Sequence, residues 1–275
     1  MPSLILVSRA DPASTNIRDA LLDAGGWEDS GAFHGLPMRR RADLLMAEVE
    51  PMHLECDLVD RSLKAAGYQF DAVMVASRHR AESGKPAITV HPIGNLGEAQ
   101  YGGAPRRLTP AAPIIMSRVI RRLQAEAQGL KHEVTFEATH HGPFLETPTC
   151  FVEIGTNEAA WTDPDLGKRV ARALLAAHTP SQGDDAPILV GLGGSHYAPR
   201  FGDLVKQRKA NFGHIVPGYQ FDKGLSHEVM LDAIRMTPGC QGYYFDPRSL
   251  TKPPDVALET FGALELGWWT DADLQ

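Results

Sequence analysis

The sequence predicts an α/β protein whose mostly parallel or mixed sheet is covered by helices on both faces. Short apolar runs at residues 71–77, 87–90 and 187–191 have the length and composition of buried strands. Segments with helical spacing of apolar residues separate such runs, and this alternation is typical of α/β folds. The 275 residues form one predicted domain, 1–275, although the polar stretch 182–185 is a possible boundary.

In the first half of the chain, the apolar residues near the N-terminus predict a buried first strand. Ser14 or Thr15 is the expected N-cap of the first helix, which runs to about residue 24 and ends at two glycines. A second strand is predicted at residues 44–49 and a short helix at 58–66. The apolar runs at 71–77 and 87–90 follow as strands.

In the second half, Pro113 is expected to open a longer helix with one apolar face. Strands are predicted at residues 133–139 and 149–154, and Asp163 and Pro164 begin the next helix. The strand at 187–191 precedes a basic segment, to which no element is assigned. Residues 214–216 predict a strand, 226–236 a helix and 241–245 a last strand.

Charge and cysteine content narrow the class of protein. The formal net charge is −7, so any grip on nucleic acid must come from local basic clusters. The three cysteines are far apart and none forms a Cys-x-x-Cys pair, which argues against a disulfide framework or a thiolate zinc site. Apolar runs are too short for a membrane span or a signal peptide. The expected location is therefore the cytoplasm, with no membrane partner.

Histidines follow the predicted strands at four places. His140 and His141 come after the run 133–139 and before Gly-Pro, which ends a strand. His79, His91 and His196 follow the other apolar runs in the same way. If these strands are parallel, their carboxyl ends share one edge of the sheet and the imidazoles can converge there. Imidazoles are the commonest metal ligands and acid–base groups near neutral pH.

The common nucleotide and nucleophile motifs are missing. Residues 191–194 lack the third glycine of a dinucleotide fingerprint, residues 84–86 do not continue as a phosphate loop, and no Gly-x-Ser-x-Gly occurs. Cys150 lies in an apolar run and is expected to be buried and structural. Metal chemistry remains, because a catalytic zinc takes about three His, Asp or Glu ligands and keeps one position for water. Glu153 lies in the same apolar run as Cys150 and is either exposed at an edge or drawn inward by a cation.

Several motifs, in this order, resemble the archaeal and plant type of D-aminoacyl-tRNA deacylase. The resemblance runs from the first strand to about residue 245. It is most specific around Ala-Thr-His-His-Gly-Pro at 138–143, which precedes Thr-Pro-Thr-Cys-Phe-Val-Glu-Ile-Gly at 147–155 and Trp161. The matching segments are residues 77–84, 91–95, 138–143, 147–155, 161, 193–200 and 213–215.

The resemblance implies a zinc-dependent hydrolase. Such enzymes cleave the ester that joins a D-amino acid to the 3′ end of tRNA, which releases the D-amino acid and recycles the tRNA. The implied fold is an α/β/α sandwich of the phosphorylase and peptidyl-tRNA hydrolase type. The implied cofactor is Zn²⁺ and the implied partner is the 3′ end of D-aminoacyl-tRNA. The sequence makes no prediction of oligomeric state.

Within that chemistry, the histidines after the strands are the candidate ligands, because metal-bound water supplies a nucleophile at neutral pH. The predicted ligands are His79, His140 and His196, with His91 and His214 as alternatives. The predicted general base is Glu153 or His141. For His141 a supporting role is the alternative, because neighbours on extended backbone point to opposite faces. The terminal phosphates or the ester carbonyl are expected to meet a basic rim of Arg78, Arg80 and Arg200.

Two other functions remain open from the residues alone. Another metal-dependent hydrolase of small molecules would use the same histidines but would show no dependence on tRNA. A tRNA-binding protein without catalysis would use the basic clusters, and its binding would survive chelation and replacement of His140.

Overall fold

The computed structural model describes residues 2–81 and 84–274, so Ser83 of the earliest motif lies outside the described residues. Within those residues the strands form one sheet of eight and one of four. The strands are β1 (Ser3–Ser8), β2 (Glu28–Phe33), β3 (Leu36–Arg41), β4 (Leu44–Val49), β5 (Ala72–Arg80), β6 (Ala87–His91), β7 (Glu133–Phe136), β8 (Thr149–Thr156), β9 (Ile188–Leu192), β10 (Asn211–Val216), β11 (Tyr243–Phe245) and β12 (Trp268–Trp269). The helices are α1 (Pro12–Asp23), α2 (Val59–Ala65), α3 (Pro113–Glu126), α4 (Glu158–Trp161), α5 (Pro164–Ala177), α6 (Pro199–Lys206), α7 (Gly218–Asp222), α8 (His227–Arg235) and α9 (Asp255–Ala263).

The larger sheet is mixed. Its strand order is β2-β3-β4-β1-β5-β8-β6-β7. The central strands β4, β1, β5 and β8 are parallel, β6 and β7 run the opposite way, and β3 pairs antiparallel with both β2 and β4. The smaller sheet has the order β10-β9-β11-β12, and its paired strands are parallel. The predicted α/β class with a mixed sheet is confirmed.

Helices cover both faces of the larger sheet. On one face, side chains of α1, α3 and α5 pack on β1 and β5 in a core that includes Leu21, Ile120 and Leu174. The same apolar cluster continues to Phe212 of the smaller sheet. On the other face, Leu63 of α2 packs with the alternate side chains of β1, β4 and β5. Among the described residues, none of the helices combines the length and the apolar character that crossing a membrane requires.

The cap of α1 differs from the prediction. Asp11, not Ser14 or Thr15, is the N-cap: its Oδ1 accepts the backbone N–H of Ala13 at 2.8 Å and of Ser14 at 3.1 Å. Ser14 and Thr15 lie inside the helix because Pro12 occupies the first turn, where a missing N–H costs nothing. The second oxygen of Asp11 accepts the N–H of Arg78 at 3.0 Å. One carboxylate therefore fastens α1 to the end of β5.

Some elements escaped the sequence analysis. The hairpin β2–β3 has no apolar alternation, since β2 is largely exposed and carries acidic residues while β3 carries three arginines. It is held by tertiary context: Glu28 lies opposite Arg40, Asp29 lies opposite Arg39, and β3 pairs with β4. Helix α6 was hidden in the basic segment, and α9 and β12 follow the last predicted strand.

Candidate active site

The histidines that follow the strands gather in one cluster, together with two buried carboxylates. Residues from β5, β6, β8 and the segments after β7 and β9 contribute side chains. The cluster consists of His79, His91, Glu137, His140, His141, Glu153 and His196.

The route by which these side chains meet differs from the prediction. The predicted edge of parallel strands in one sheet is wrong: β6 and β7 run opposite to β5 and β8, and β9 belongs to the smaller sheet. Instead, Glu153 of β8 lies in register with Ser77 on one side and Thr89 on the other. His79 and His91 each lie two residues further along their strands, so both project from the same face as Glu153. The centre of this sheet face, beside β8, carries the cluster.

His79 lies within β5 rather than after it. The strand extends to Arg80 because β8 pairs with it up to Thr156, and His79 is the register partner of Gly155. A β-carbon at Gly155 would lie 2.8 Å from His79 Cδ2 and 3.1 Å from the carbonyl oxygen of Ala87. Glycine therefore leaves the space that the His79 ring occupies.

Glu137 is the residue that the sequence analysis missed. Its side chain is fully buried, and its carboxylate contacts all three predicted metal ligands. The distances to the carboxylate are 2.9 Å from His79 Nδ1, 3.5 Å from His140 Nε2 and 3.4 Å from His196 Nε2. It was hidden by alternation, since Glu133, Thr135 and Glu137 have the spacing of a polar strand face. The signal in the sequence that could have identified Glu137 is its position three residues before His140.

Glu137 also marks the place where the chain leaves the larger sheet. The strand ends at Phe136, not at residue 139 as predicted. Glu137 then bridges to Tyr197, Ala138 N–H donates to the carbonyl of His196 at 2.9 Å, and Thr139 N–H donates to Ile215 at 2.9 Å. These hydrogen bonds to β10 and to the segment after β9 bring His140 and His196 to the same carboxylate, that of Glu137.

Three imidazoles share one orientation. The Nδ1–H groups of His91, His140 and His141 donate to backbone carbonyls at 3.1, 2.8 and 2.6 Å, respectively. In His140 and His141, whose pKa values are lowered, this leaves Nε2 with a lone pair, as metal-bound or basic imidazoles require. The ring nitrogens of the three lie within 4.8 Å of one another.

His141 points into the cluster rather than away from it. The expectation of opposite faces assumed extended backbone, but His141 has φ +45°, in the left-handed region. The turn brings its ring centroid to 4.4 Å from that of His140 and 4.9 Å from that of His91. Gly142 follows immediately, where a β-carbon would lie 2.3 Å from Gly103 N.

The inner carboxylate, Glu153, is buried as well. It accepts the Thr89 hydroxyl at 3.4 Å and lies 3.4 Å from His79 Nδ1 and 3.7 Å from His91 Nε2. Burial raises its pKa, but His79 and His91 outweigh this and hold the pKa well below its usual range. Of the two alternatives for Glu153, the structure shows the side chain drawn inward among cations.

His79 is held at both ring nitrogens. Its Nδ1 faces Glu137 and Glu153, and its Nε2 is 2.7 Å from the Tyr197 hydroxyl. Burial lowers the pKa of His79, but the two carboxylates outweigh this and raise it to about 11. Trp161 also donates its indole N–H to the His79 carbonyl at 2.9 Å, which fixes the end of β5.

The other four rings of the cluster differ in their pKa values. Burial lowers the pKa of His91, but Glu153 outweighs this and raises it. Burial, followed by the charge of His91, lowers the pKa of His141 to about 3 and takes that of His140 well below its ordinary value. Burial also lowers the pKa of His196. Cys150, by contrast, is buried away from any base, and burial raises the pKa of its thiol to about 12. A thiolate nucleophile is therefore not available there.

His214, an alternative ligand, has a structural role. Its Nε2–H donates to the carbonyl of Thr109 at 3.0 Å and its Nδ1 accepts the Thr139 hydroxyl at 3.1 Å. Burial lowers its pKa to about 4. Both nitrogens are thus satisfied by protein groups, and the ring fastens β10 to the segment that carries His140.

The three arginines of the predicted basic rim do not line the cleft that leads to the cluster. Arg78 lies over the Trp161 ring, with Cζ 5.3 Å from its centroid. Arg200 donates to the Tyr244 hydroxyl at 2.9 Å and pairs with Asp271. Arg80 is exposed at the end of β5. Their contact with a substrate stays a prediction.

A cleft of about 880 Å³ ends at His140, His141 and His196. Glu137 and Glu153 lie behind these rings and do not line it. One wall is the loop 94–106 after β6, and the other is formed by α7 and the start of α8. The cleft is large enough for several substrate groups at once.

A mixed α/β fold with imidazoles and carboxylates at the inner end of a cleft has the acid–base groups of a hydrolase. Residues 66–264 match the family model described as D-aminoacyl-tRNA deacylase. The chain therefore belongs to the D-aminoacyl-tRNA deacylase family, whose members are hydrolases of aminoacyl-tRNA esters. The predicted family is confirmed.

Curated relatives support the same assignment. A D-aminoacyl-tRNA deacylase of Thermoplasma acidophilum is 34% identical over 246 residues, which cover 88% of this chain and 89% of the relative. That of Methanosarcina mazei is 34% identical over 256 residues, covering 90% and 84%, respectively. The relative from Methanococcoides burtonii is longer: the match is 35% identical and covers 80% of this chain but 46% of the relative. A crystal structure described as a conserved protein of unknown function has a TM-score of 0.90 and 28% identity, covering 99% of this chain and 96% of its own.

Proposed function

We propose that this protein hydrolyses the ester of D-aminoacyl-tRNA with water activated by a zinc ion. The observation that carries the proposal is Glu137, a fully buried carboxylate on which three histidines converge. Neither of its oxygens makes a hydrogen bond with acceptable geometry among the described residues, and His91 Nε2 is likewise without one. His79 Nδ1 meets Oε1 at 2.9 Å, but Oε2 has no such partner, and a buried carboxylate oxygen is costly unless a cation meets it.

The distances of two histidines from Glu137 suit zinc. Ligand distances of about 2.0–2.1 Å place neighbouring ligand atoms of a tetrahedral zinc about 3.3 Å apart. His140 Nε2 and His196 Nε2 lie 3.5 and 3.4 Å from Glu137 Oε2. We assign these three residues as ligands. His79 is assigned to hold the Glu137 carboxylate, because both of its nitrogens already have protein partners. Zinc supplies a bound water of lowered pKa and polarises the ester carbonyl.

His141 is the proposed proton acceptor: its lowered pKa of about 3 keeps Nε2 unprotonated, so the ring relays the proton and does not store it. It lines the cleft, whereas Glu153 lies behind the histidines, so a water in the cleft reaches His141 Nε2 first. The carbonyl of Gly142 holds the Nδ1–H at 2.6 Å, which directs the basic nitrogen to the water. The water oxygen forms the bond to the ester carbon, and the bond to the ribose oxygen breaks. His141 passes the proton to that oxygen as it leaves.

The family and the cluster also support a location in the cytoplasm, where aminoacyl-tRNA is used. The three cysteines are all free thiols in the structure, as a reducing compartment allows.

One assay tests the proposal. Hydrolysis of D- and L-aminoacyl-tRNA is measured before chelation, after chelation and after zinc is restored. The expected result is hydrolysis of the D form that chelation abolishes and zinc recovers. Full activity in a preparation verified to be free of metal contradicts the metal step. Equal hydrolysis of a free D-amino-acid ester and of the charged tRNA favours a small-molecule hydrolase.

A further inference from the structure

Two exposed tyrosines line the cleft from different segments of the chain. Tyr101, on the loop after β6, is 65% exposed, and Tyr219, on α7, is 38% exposed. Both line the same cavity as His140, His141 and His196. Aromatic side chains exposed in a cleft offer ring faces on which a ligand can stack.

Backbone hydrogen bonds tie each tyrosine to the cluster. The Tyr101 carbonyl accepts the N–H of Gly142, the residue after His141, at 2.8 Å. Gly218, the residue before Tyr219, donates to the carbonyl of Gly194, two residues before His196, at 3.0 Å. The backbone that carries each tyrosine is therefore anchored to the chain on either side of the reacting end of the cleft.

Glycines and a buried amide make the Tyr101 wall rigid. Asn95 donates through Nδ2 to the carbonyls of Gly102 and Ala104 at 2.9 and 3.2 Å. A β-carbon at Gly102 would lie 2.1 Å from the Leu54 carbonyl oxygen, so the loop after Tyr101 packs directly on backbone. The wall has the shape of a preformed site rather than of a loose loop.

Each wall carries one cation. Lys223 Nζ lies 5.1 Å from the centroid of the Tyr219 ring, and Arg106 lines the wall that carries Tyr101. Two acids, Glu98 and Glu228, also line the cleft, and Glu98 Oε1 is 3.5 Å from Arg106. The charges of these four side chains cancel, and the two exposed tyrosine rings offer stacking surface beside them. This combination suits unpaired nucleotides, whose bases stack on aromatic rings while single cations meet the phosphates.

We propose that Tyr101 and Tyr219 stack the unpaired bases at the 3′ end of tRNA and so seat the ester at His141. This inference rests on the proposed function and assigns its substrate subsite. Because every base has a stacking face, the walls recognise the common CCA end and not the identity of the tRNA.

The test measures binding apart from hydrolysis. The probe is the single-stranded RNA trinucleotide CCA, titrated calorimetrically into wild type and into Tyr101→Ala, Tyr219→Ala and Tyr219→Phe. Loss of one stacked base is expected to weaken binding about 5- to 150-fold, whereas Tyr219→Phe keeps the ring and stays within about twofold of wild type. Trp268→Ala is the matched control, because Trp268 is 50% exposed on β12 and does not line the cleft.

Two results overturn the inference: wild type that does not bind CCA, or tyrosine variants that bind it as Trp268→Ala does. The second readout is the KM for D-aminoacyl-tRNA, which is expected to rise in both alanine variants and to stay at the wild-type value in Trp268→Ala. Wild type that deacylates tRNA with a KM insensitive to both substitutions rejects the stacking walls but leaves the proposed function intact. Wild type that binds CCA without hydrolysing D-aminoacyl-tRNA rejects the proposed function alone.

Discussion

His140 Nε2 lies 3.5 Å from Glu137 Oε2, and both residues follow the end of β7 at Phe136. The two residues are close because the chain turns out of the larger sheet at Glu137 and pairs with residues next to the smaller one. The turn gives a fully buried carboxylate three imidazole neighbours and no hydrogen bond of acceptable geometry among the described residues. The site is therefore built where the two sheets are joined.

Replacement of Glu137 tests whether this carboxylate binds the metal. Glu137→Gln is expected to lose zinc and to lower kcat, because a neutral amide is a poor ligand and leaves the imidazoles without a charged partner. Zinc content per chain is measured by elemental analysis. Glu133→Gln is the control, since Glu133 begins the strand that precedes Glu137 but is partly exposed and pairs with Lys85. Stoichiometric zinc in Glu137→Gln would contradict the assignment.

Replacement of His141 separates proton transfer from metal binding. His141→Ala is expected to keep zinc and to lower kcat about 10²- to 10⁴-fold, the usual contribution of a general base. His227→Ala is the control, because that ring is exposed and pairs with Glu259 at 3.0 Å outside the cluster. Zinc lost together with activity in His141→Ala would instead make His141 a ligand, which its place within 4.8 Å of the His91 and His140 nitrogens also allows.

A methyl group at position 155 tests the packing of His79. In Gly155→Ala the new β-carbon would lie 2.8 Å from His79 Cδ2, so the ring must shift away from Glu137 and Glu153. Overpacking of this kind costs about 1–3 kcal/mol of unfolding free energy, and kcat is expected to fall with it. Gly262→Ala, where nothing lies within 4 Å, is expected to leave both unchanged. Wild-type kcat in Gly155→Ala would show that the exact position of His79 is unimportant.

The sequence predicted most strands and helices because their apolar residues repeat at regular spacing. It located His79, His140, His141, His196 and Glu153 as site candidates, and all five lie in the cluster. Glu137 was not predicted as a site residue because the alternation of polar and apolar residues is the same whether the polar face of a strand meets water or another sheet. The direction of β6 could not be read either, since a buried strand has the same pattern in both directions.

The pH dependence of stability is expected to report on Asp184. Its Oδ2 accepts the Arg118 guanidinium at 2.7 and 3.0 Å and its Oδ1 accepts Arg121 at 3.0 Å. Burial raises the pKa of Asp184, but Arg118 and Ser181 outweigh this and lower it. A carboxyl group whose pKa is lowered by folding stabilises the folded protein when it is ionised. This stabilisation is complete above the pKa that the group has in the unfolded chain, and it is lost as the pH falls through the pKa in the folded protein.

Asp184→Asn is therefore expected to lower the unfolding free energy by about 1–3 kcal/mol at pH 6, through its charge-assisted hydrogen bonds. The difference from wild type should shrink below about pH 4, where the carboxylate of the unfolded chain begins to protonate. Urea unfolding of both proteins between pH 3 and pH 7 measures it. A difference that stays constant over this range would mean that the charge of Asp184 contributes nothing.

The dependence of tRNA affinity on salt identifies which arginines meet phosphates. Each phosphate neutralised on a single strand gives a slope of about −0.7 in log affinity against log salt. Two cleft cations, Arg106 and Lys223, that each meet one phosphate predict a slope of about −1.4. A basic rim of Arg78, Arg80 and Arg200 that also met phosphates would make the slope steeper. Arg106→Ala should reduce the slope by about 0.7, and Arg78→Ala should leave it unchanged because Arg78 packs on Trp161. The opposite pattern, in which Arg78→Ala flattens the slope and Arg106→Ala does not, would place the tRNA backbone at the end of β5 instead of in the cleft.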